Sequence, residues 1–141
     1  MEHKINILLA SYQVHYQNLR SLHWNIKGEN FFELHLKYEE LYTRSQVIID
    51  DLAERILTLG LQPFSRFSDY IQHSLIKENN IISDGKTGMN YVFEAQNILI
   101  NLEKELLDLS DEQNDDGTNS LMSDLIREKE KTNWMFRAWL S

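Results

Sequence analysis

His23, His35 and Glu39 fall within the stretch SLHWNIKGENFFELHLKYEELY, and a second acidic pair, Asp50 and Glu54, follows on the same run. Imidazole combined with carboxylate is a ligand set for iron or zinc rather than for calcium. The chain has no cysteine, so thiolate metal sites and disulfides are excluded. Each residue taken alone has an ordinary reading. A histidine near a helix end is usually a hydrogen-bonded structural residue, and a glutamate four positions on is usually a solvated helix charge. His3, His15 and His73 lack comparable company and read as structural or surface residues.

The elements that must position these groups are helical. Ile5, Leu8, Leu9, Tyr12, Tyr16, Leu19, Leu22 and Ile26 recur in steps of three and four, one apolar stripe on a first helix that Gly28 ends. A second helix is expected from Asn30, with Asn30 as N-cap and Glu33 closing a capping box. It carries Leu34, Tyr38, Leu41, Tyr42, Ile48, Ile49, Leu52, Ile56 and Leu59, and stops at Gly60 ahead of Pro63. SRFSDYIQHS reads as one or two turns. SDGKTG reads as a loop, a third helix runs from about Met89 to Leu109, SDEQNDDGT reads as a polar linker, and a fourth helix runs from about Asn119 to Leu140. No internal repeat and no strand-like alternation is present. The expected fold is all-α, one domain over residues 1–141: a four-helix bundle with a short extra helix in a long crossover between the second and third helices, the ferritin-like variant of the bundle.

In an antiparallel hairpin centred near residue 29, His23 and His35 are equidistant from the turn and lie side by side. Glu39 sits one turn beyond His35 on the same face. From Glu39 to Asp50 is eleven residues, within ~20° of three whole turns, so both pairs share one stripe of the second helix. They cannot share a metal within one chain. His35 and Asp50 are fifteen residues apart, about 22 Å along the axis at 1.5 Å per residue, whereas metal–ligand bonds are about 2 Å. A two-fold axis that lays one second helix antiparallel to its copy brings His23, His35 and Glu39 of one subunit up to Asp50 and Glu54 of the other, and makes two equal sites. The sequence contains no Glu-x-x-His, the pair used by di-iron carboxylate proteins whose site lies inside one bundle.

Composition narrows the setting. The formal net charge of the 141 residues is −8, which disfavours direct contact with nucleic acid or an anionic membrane. No apolar run approaches the ~18 residues of a membrane span, and the N-terminus lacks a basic segment followed by an apolar one, so a secretory signal is not expected. A reducing cytoplasm suits a chain without cysteine.

LHWNIKGENFFELHLKYEELY followed by IDDLAERILTLG resembles the signature of the Dps proteins, the mini-ferritins that protect starved bacterial cells, and the closing NWMFRAW resembles their C-terminal helix. The resemblance covers essentially the whole chain. It implies a hollow dodecamer with two-fold and three-fold interfaces, and ferroxidase centres at the two-folds. Their ligands are His23, His35 and Glu39 with Asp50 and Glu54 of the neighbouring subunit; the family more often has aspartate at the place of Glu39. The implied activity is that of an oxidoreductase: Fe(II), two ions per site, is oxidised by hydrogen peroxide in preference to O2, and Fe(III) is stored as mineral, which protects against oxidative stress. Glu40 is a candidate for mineral nucleation. Asp115, Asp116 and Asp124 are candidates for an iron pore at the three-fold, against the alternative of a helix start favoured by the dipole. Trp24 is expected to pack against the site. Many members bind DNA through a lysine-rich tail before the first helix; here only Lys4 precedes the helical pattern, and DNA binding is not expected. Two other readings remain beside iron storage: a DNA-compacting protein in which iron is secondary, and a metal-free helical scaffold.

Overall fold

The computed structural model describes all of Met1–Ser141 and contains five helices and no strand: α1 (Glu2–Asn25), α2 (Phe31–Thr58), α3 (Phe67–His73), α4 (Gly85–Glu112) and α5 (Asp116–Leu140). The stripe from Ile5 to Leu22 is buried on α1, apart from Tyr16, which is half-buried. Burying that stripe against the apolar faces of α2, α4 and α5 builds the core. No helix is long and apolar enough to cross a membrane.

Pairwise contacts fix the directions of the helices. Lys4 meets Glu105, and His15 and Asn18 both meet Tyr91, so α1 and α4 run antiparallel. Glu33 accepts a hydrogen bond from the Trp139 indole, Arg44 grips Glu128 through both arms, and Arg55 reaches Asp115, so α2 and α5 also run antiparallel. Gly85, at the start of α4, sits against Leu34 near the start of α2. Segment 59–84 therefore crosses the bundle from one end to the other.

That crossover is pinned by polar side chains buried on α1. The Asn6 amide donates to the Gln62 carbonyl and accepts from the Phe64 amide. The Ser11 hydroxyl accepts from the Leu75 amide. Asn18 donates to the Lys77 carbonyl and accepts from the Asn79 amide. Backbone groups without a helix or sheet partner must be satisfied somewhere, and α1 satisfies them for the crossover.

Four local expectations are corrected. Asn30 precedes α2 in the left-handed region (φ 66°) and makes no side-chain cap, and Glu33 turns to Trp139, so no capping box forms; an N-cap side chain reaches back only from extended backbone. α4 starts at Gly85 rather than Met89, because Asp84 caps it by accepting from the Thr87 amide at 2.8 Å. Its glycines serve close packing: a Cβ on Gly88 would lie 2.5 Å from the Tyr38 hydroxyl. α4 continues to Glu112, and α5 begins at Asp116 with Asp115 as its cap, so most of SDEQNDDGT is helical. Gly60 does end α2 as expected. It is left-handed (φ 78°), donates to the Leu57 carbonyl, and is followed by a Leu61 amide bonded to the Ile56 carbonyl, the paired bonds of a Schellman ending.

Candidate metal centre

The α1–α2 hairpin places its two histidines in direct contact. Their rings stack with centroids 3.7 Å apart and planes 13° from parallel. Each bonds the main chain of the other: His23 Nδ1 lies 2.6 Å from the His35 carbonyl oxygen, and His35 Nδ1 lies 2.8 Å from the His23 carbonyl oxygen. A carbonyl can only accept, so both Nδ1 atoms carry a proton, and Nε2 is the nitrogen of each ring that can offer a lone pair to a metal. This second bond of a ligating imidazole is what fixes its tautomer in metal sites. The reason is local. His23 is in the last turn of α1, where carbonyls lack helical partners, and the Lys27 amide that would have served it bonds the Ser83 carbonyl instead. His35 supplies the missing donor.

Glu39, one turn along α2, brings Oε1 to 3.7 Å from His23 Nε2. His23 is 7 % exposed and Glu39 is exposed. His23 Nε2 and the Glu39 carboxylate thus face each other beside α2, with the His35 ring stacked on His23. Asp50 and Glu54 lie further along that helix, exposed and in no ion pair. No three of the chain's His, Asp or Glu side chains come together within one protomer in a way that could hold a metal. The half bearing imidazoles and the half bearing only carboxylates stay apart.

The other candidates are placed as follows. Glu40 is exposed and pairs with Lys37 at 2.9 Å. Asp115 takes the structural alternative: its carboxylate accepts from the Thr118 amide and from Arg55 at 2.7 Å. Burial would raise its carboxyl, but those bonds outweigh burial and hold it below the usual range. Asp116 is exposed beside it, and exposed Asp124 pairs with Arg127. Trp24 is 58 % exposed in the protomer and lies under the Arg20 guanidinium. His15 is buried against the Tyr91 hydroxyl, and burial pushes it down to about 3, so it is neutral.

The sequence reading missed a buried ion pair at the centre of the bundle. Lys129 Nζ is 3.0 Å from Glu103 Oε2, which also accepts from the Tyr12 hydroxyl at 2.7 Å. Both charged residues are almost fully enclosed. The signal was present: Glu103 falls in step with the buried Leu99 and Leu106, and Lys129 with the buried Leu125 and Asn133. A charge on a buried stripe needs a partner.

Comparison with known proteins agrees with this architecture. Residues 2–141 match the family model described as ferritin-like domain. The chain is 38% identical to a DNA protection during starvation protein of Porphyromonas gingivalis, over 94% of this chain and 83% of that protein. It is 47% identical to an uncharacterized protein of Haemophilus influenzae, over 96% of this chain and 84% of that protein. Among solved structures, a Dps protein of Vibrio cholerae O1, described as a member of a broad superfamily of ferritin-like diiron-carboxylate proteins, superposes with a TM-score of 0.96 at 49% identity, covering 98% of this chain and 87% of that one.

Proposed function

Because the chain belongs to the ferritin-like family and, within it, to the Dps proteins, we propose that it is a ferroxidase that oxidises Fe(II), preferably with hydrogen peroxide, and stores the Fe(III) as mineral inside a hollow dodecamer. Each centre takes two Fe(II) as substrate. His23, His35 and Glu39 come from one subunit and Asp50 and Glu54 from its two-fold partner. A reducing cytoplasm, where Fe(II) persists, suits this role, and removal of iron and peroxide together protects against oxidative stress.

The observation that carries the reading is the outward face of α2. At ~100° per residue, Phe32, Leu36, Val47 and Leu57 fall within about a quarter turn of Glu39, Asp50 and Glu54. All seven are exposed in the protomer, Phe32 at 85 %. Apolar residues gathered on a solvent face mark an interaction surface. An antiparallel copy of the same helix covers them and joins the two half-sites in one step.

Within the centre, the hydrogen bonds from Nδ1 reserve Nε2 of each ring for a metal, so the protein spends little reorganisation on tautomer when iron arrives. The carboxylates offset the charge of two cations. Two Fe(II) each give one electron, the O–O bond of peroxide breaks, and with two protons the products are two Fe(III) and two waters. Holding the irons as a pair keeps the single-electron route to hydroxyl radical closed. Exposed Glu40 is the proposed nucleation residue. Asp116 and Asp124 are the proposed pore acids, while Asp115 already has its partners.

Mixing subunits tests the shared site. His35→Ala and Asp50→Ala subunits are unfolded together and reassembled in equal amounts. In a mixed dimer both lesions fall in one centre and the other centre is intact. About a quarter of all centres then recover, from two inactive parents. No recovery in verified mixed assemblies would overturn the two-chain site.

A further inference from the structure

The two imidazoles do not stack alone. Phe31 lies parallel to His35 on its outer face, with centroids 5.1 Å apart and planes 15° from parallel. Tyr42 stands against His23, at 5.3 Å and 80°. The order through the site is thus Phe31, His35, His23, Tyr42: four rings in contact, with the two imidazoles in the middle. Both outer rings are half-buried and packed on the apolar cluster that includes Leu19, Leu22, Leu34 and Tyr38. The clamp is therefore anchored in the core, not in solvent.

We infer that Phe31 and Tyr42 are positioning residues for Fe(II) binding: they hold the imidazole pair as one rigid unit so that both Nε2 atoms meet the metals without rearrangement. This rests on the ferroxidase reading of His23 and His35. The Nδ1 bonds fix the tautomer of each ring, but a ring held by a single hydrogen bond still swings about it. The stacked neighbour stops that swing on the inner side, and the aromatic ring of Phe31 or Tyr42 stops it on the outer side. Aromatic contacts of this kind are directional as well as apolar. An aliphatic residue of similar volume fills the space but does not hold the ring plane.

The test uses the assembled protein and Co(II), whose visible d–d band reports ligand geometry directly. Phe31→Leu and Tyr42→Leu should each weaken Co(II) binding about three- to tenfold, the range expected for loss of one aromatic pair, and should shift or broaden the band. Phe31→Tyr and Tyr42→Phe, which keep a ring, should bind as wild type. In a His35→Ala background, Phe31→Leu should cause no further weakening, because the ring acts through that imidazole. Where a leucine variant does not assemble, the methionine variant at the same position takes its place. Wild-type affinity and spectrum in the variants without a ring overturn the clamp. So does an equal loss with and without His35, which marks a general packing effect. Co(II) binding that is indifferent to His35→Ala overturns the ferroxidase reading itself, a result the clamp variants alone cannot produce.

Discussion

His35 Nδ1 donates to the His23 carbonyl at 2.8 Å, and that carbonyl is one of the orphan acceptors at the end of α1. The side chain proposed as a metal ligand is thus also part of a helix ending. The two roles separate by substitution. His35→Ala loses this bond and leaves a carbonyl of the last turn unpaired, which should cost about 1–2 kcal/mol. His35→Asn places an amide N–H where Nδ1 stood, so most of that stability should return. Both variants lose Nε2 and should slow Fe(II) oxidation at least tenfold. Thermal unfolding of the assembled protein, read beside stopped-flow oxidation, checks this. Equal melting temperatures for the Ala and Asn variants would show that the bond contributes nothing.

Asp115 gives a pH-dependent prediction. Its carboxyl is held below the ordinary range by Thr118 and Arg55 despite burial. A carboxyl lowered on folding stabilises the fold above its unfolded value of about 3.9 and loses that contribution as pH falls through the lower folded value. Wild type should therefore lose part of its stability below about pH 4, and Asp115→Asn should lack that part of the acid transition. Asp115→Ala should cost about 1 kcal/mol more than Asp115→Asn at neutral pH, since it also removes the cap of α5. Iron uptake should respond to Asp116→Asn with Asp124→Asn and not to Asp115→Asn. Slower uptake in the Asp115 variant at unchanged stability would return this residue to the pore.

Much of this was legible in the sequence because helical periodicity is a property of the chain itself. The stripe on α1, the Gly60 ending and the short α3 follow from residue types alone. So does the meeting of His23 with His35, because equal distance from a tight turn means equal level in a hairpin. The misreadings share a cause. Gly85 and Gly88 look like loop residues, yet they are glycines so that Leu34 and Tyr38 can come close, and that requirement lies in another helix. Asn30 has the right residue type for a cap but the wrong backbone. Asn6, Ser11 and Asn18 are polar residues on the buried side of α1, and only the folded crossover shows what they bind.

Glu103 and Lys129 are enclosed in the bundle and pair with each other at 3.0 Å, so the one fully buried carboxylate of the chain is held by a cation. Lys129→Met leaves a buried carboxylate without its cation and should destabilise by about 3–5 kcal/mol. Combining Tyr12→Phe, Glu103→Leu and Lys129→Met removes the whole network and should restore most of that loss. Fe(II) oxidation at 25 °C should be the same in the triple variant as in wild type, because the proposed centres lie on α2. A triple variant that is stable and assembled but inactive would place the chemistry inside the bundle.

DNA binding should be weak. The chain carries a net charge of −8, and Lys4 is already paired with Glu105. Counterion release requires several free cations facing phosphate. Gel-shift titration of the assembled 141-residue chain with duplex DNA at about 0.15 M salt should show no retarded band at micromolar protein. A tight complex that dissolves steeply with added salt would reveal a basic surface created by assembly.

Peroxide stoichiometry tests the paired chemistry most directly. Anaerobic protein loaded with two Fe(II) per proposed centre is mixed with substoichiometric hydrogen peroxide, and the iron oxidised per peroxide is counted. Two electrons take one peroxide to two waters, so paired irons should give a ratio near two with few hydroxyl-radical spin adducts. His23→Ala and Glu54→Ala remove ligands from different subunits of the same centre, so both should slow the first phase markedly, by at least tenfold. They should also push the ratio toward one, with more adducts, because an iron left without its neighbour gives only one electron. The ratio and the adducts carry the test. A wild-type ratio near one, or wild-type rates in both variants, would leave the helical scaffold without this chemistry.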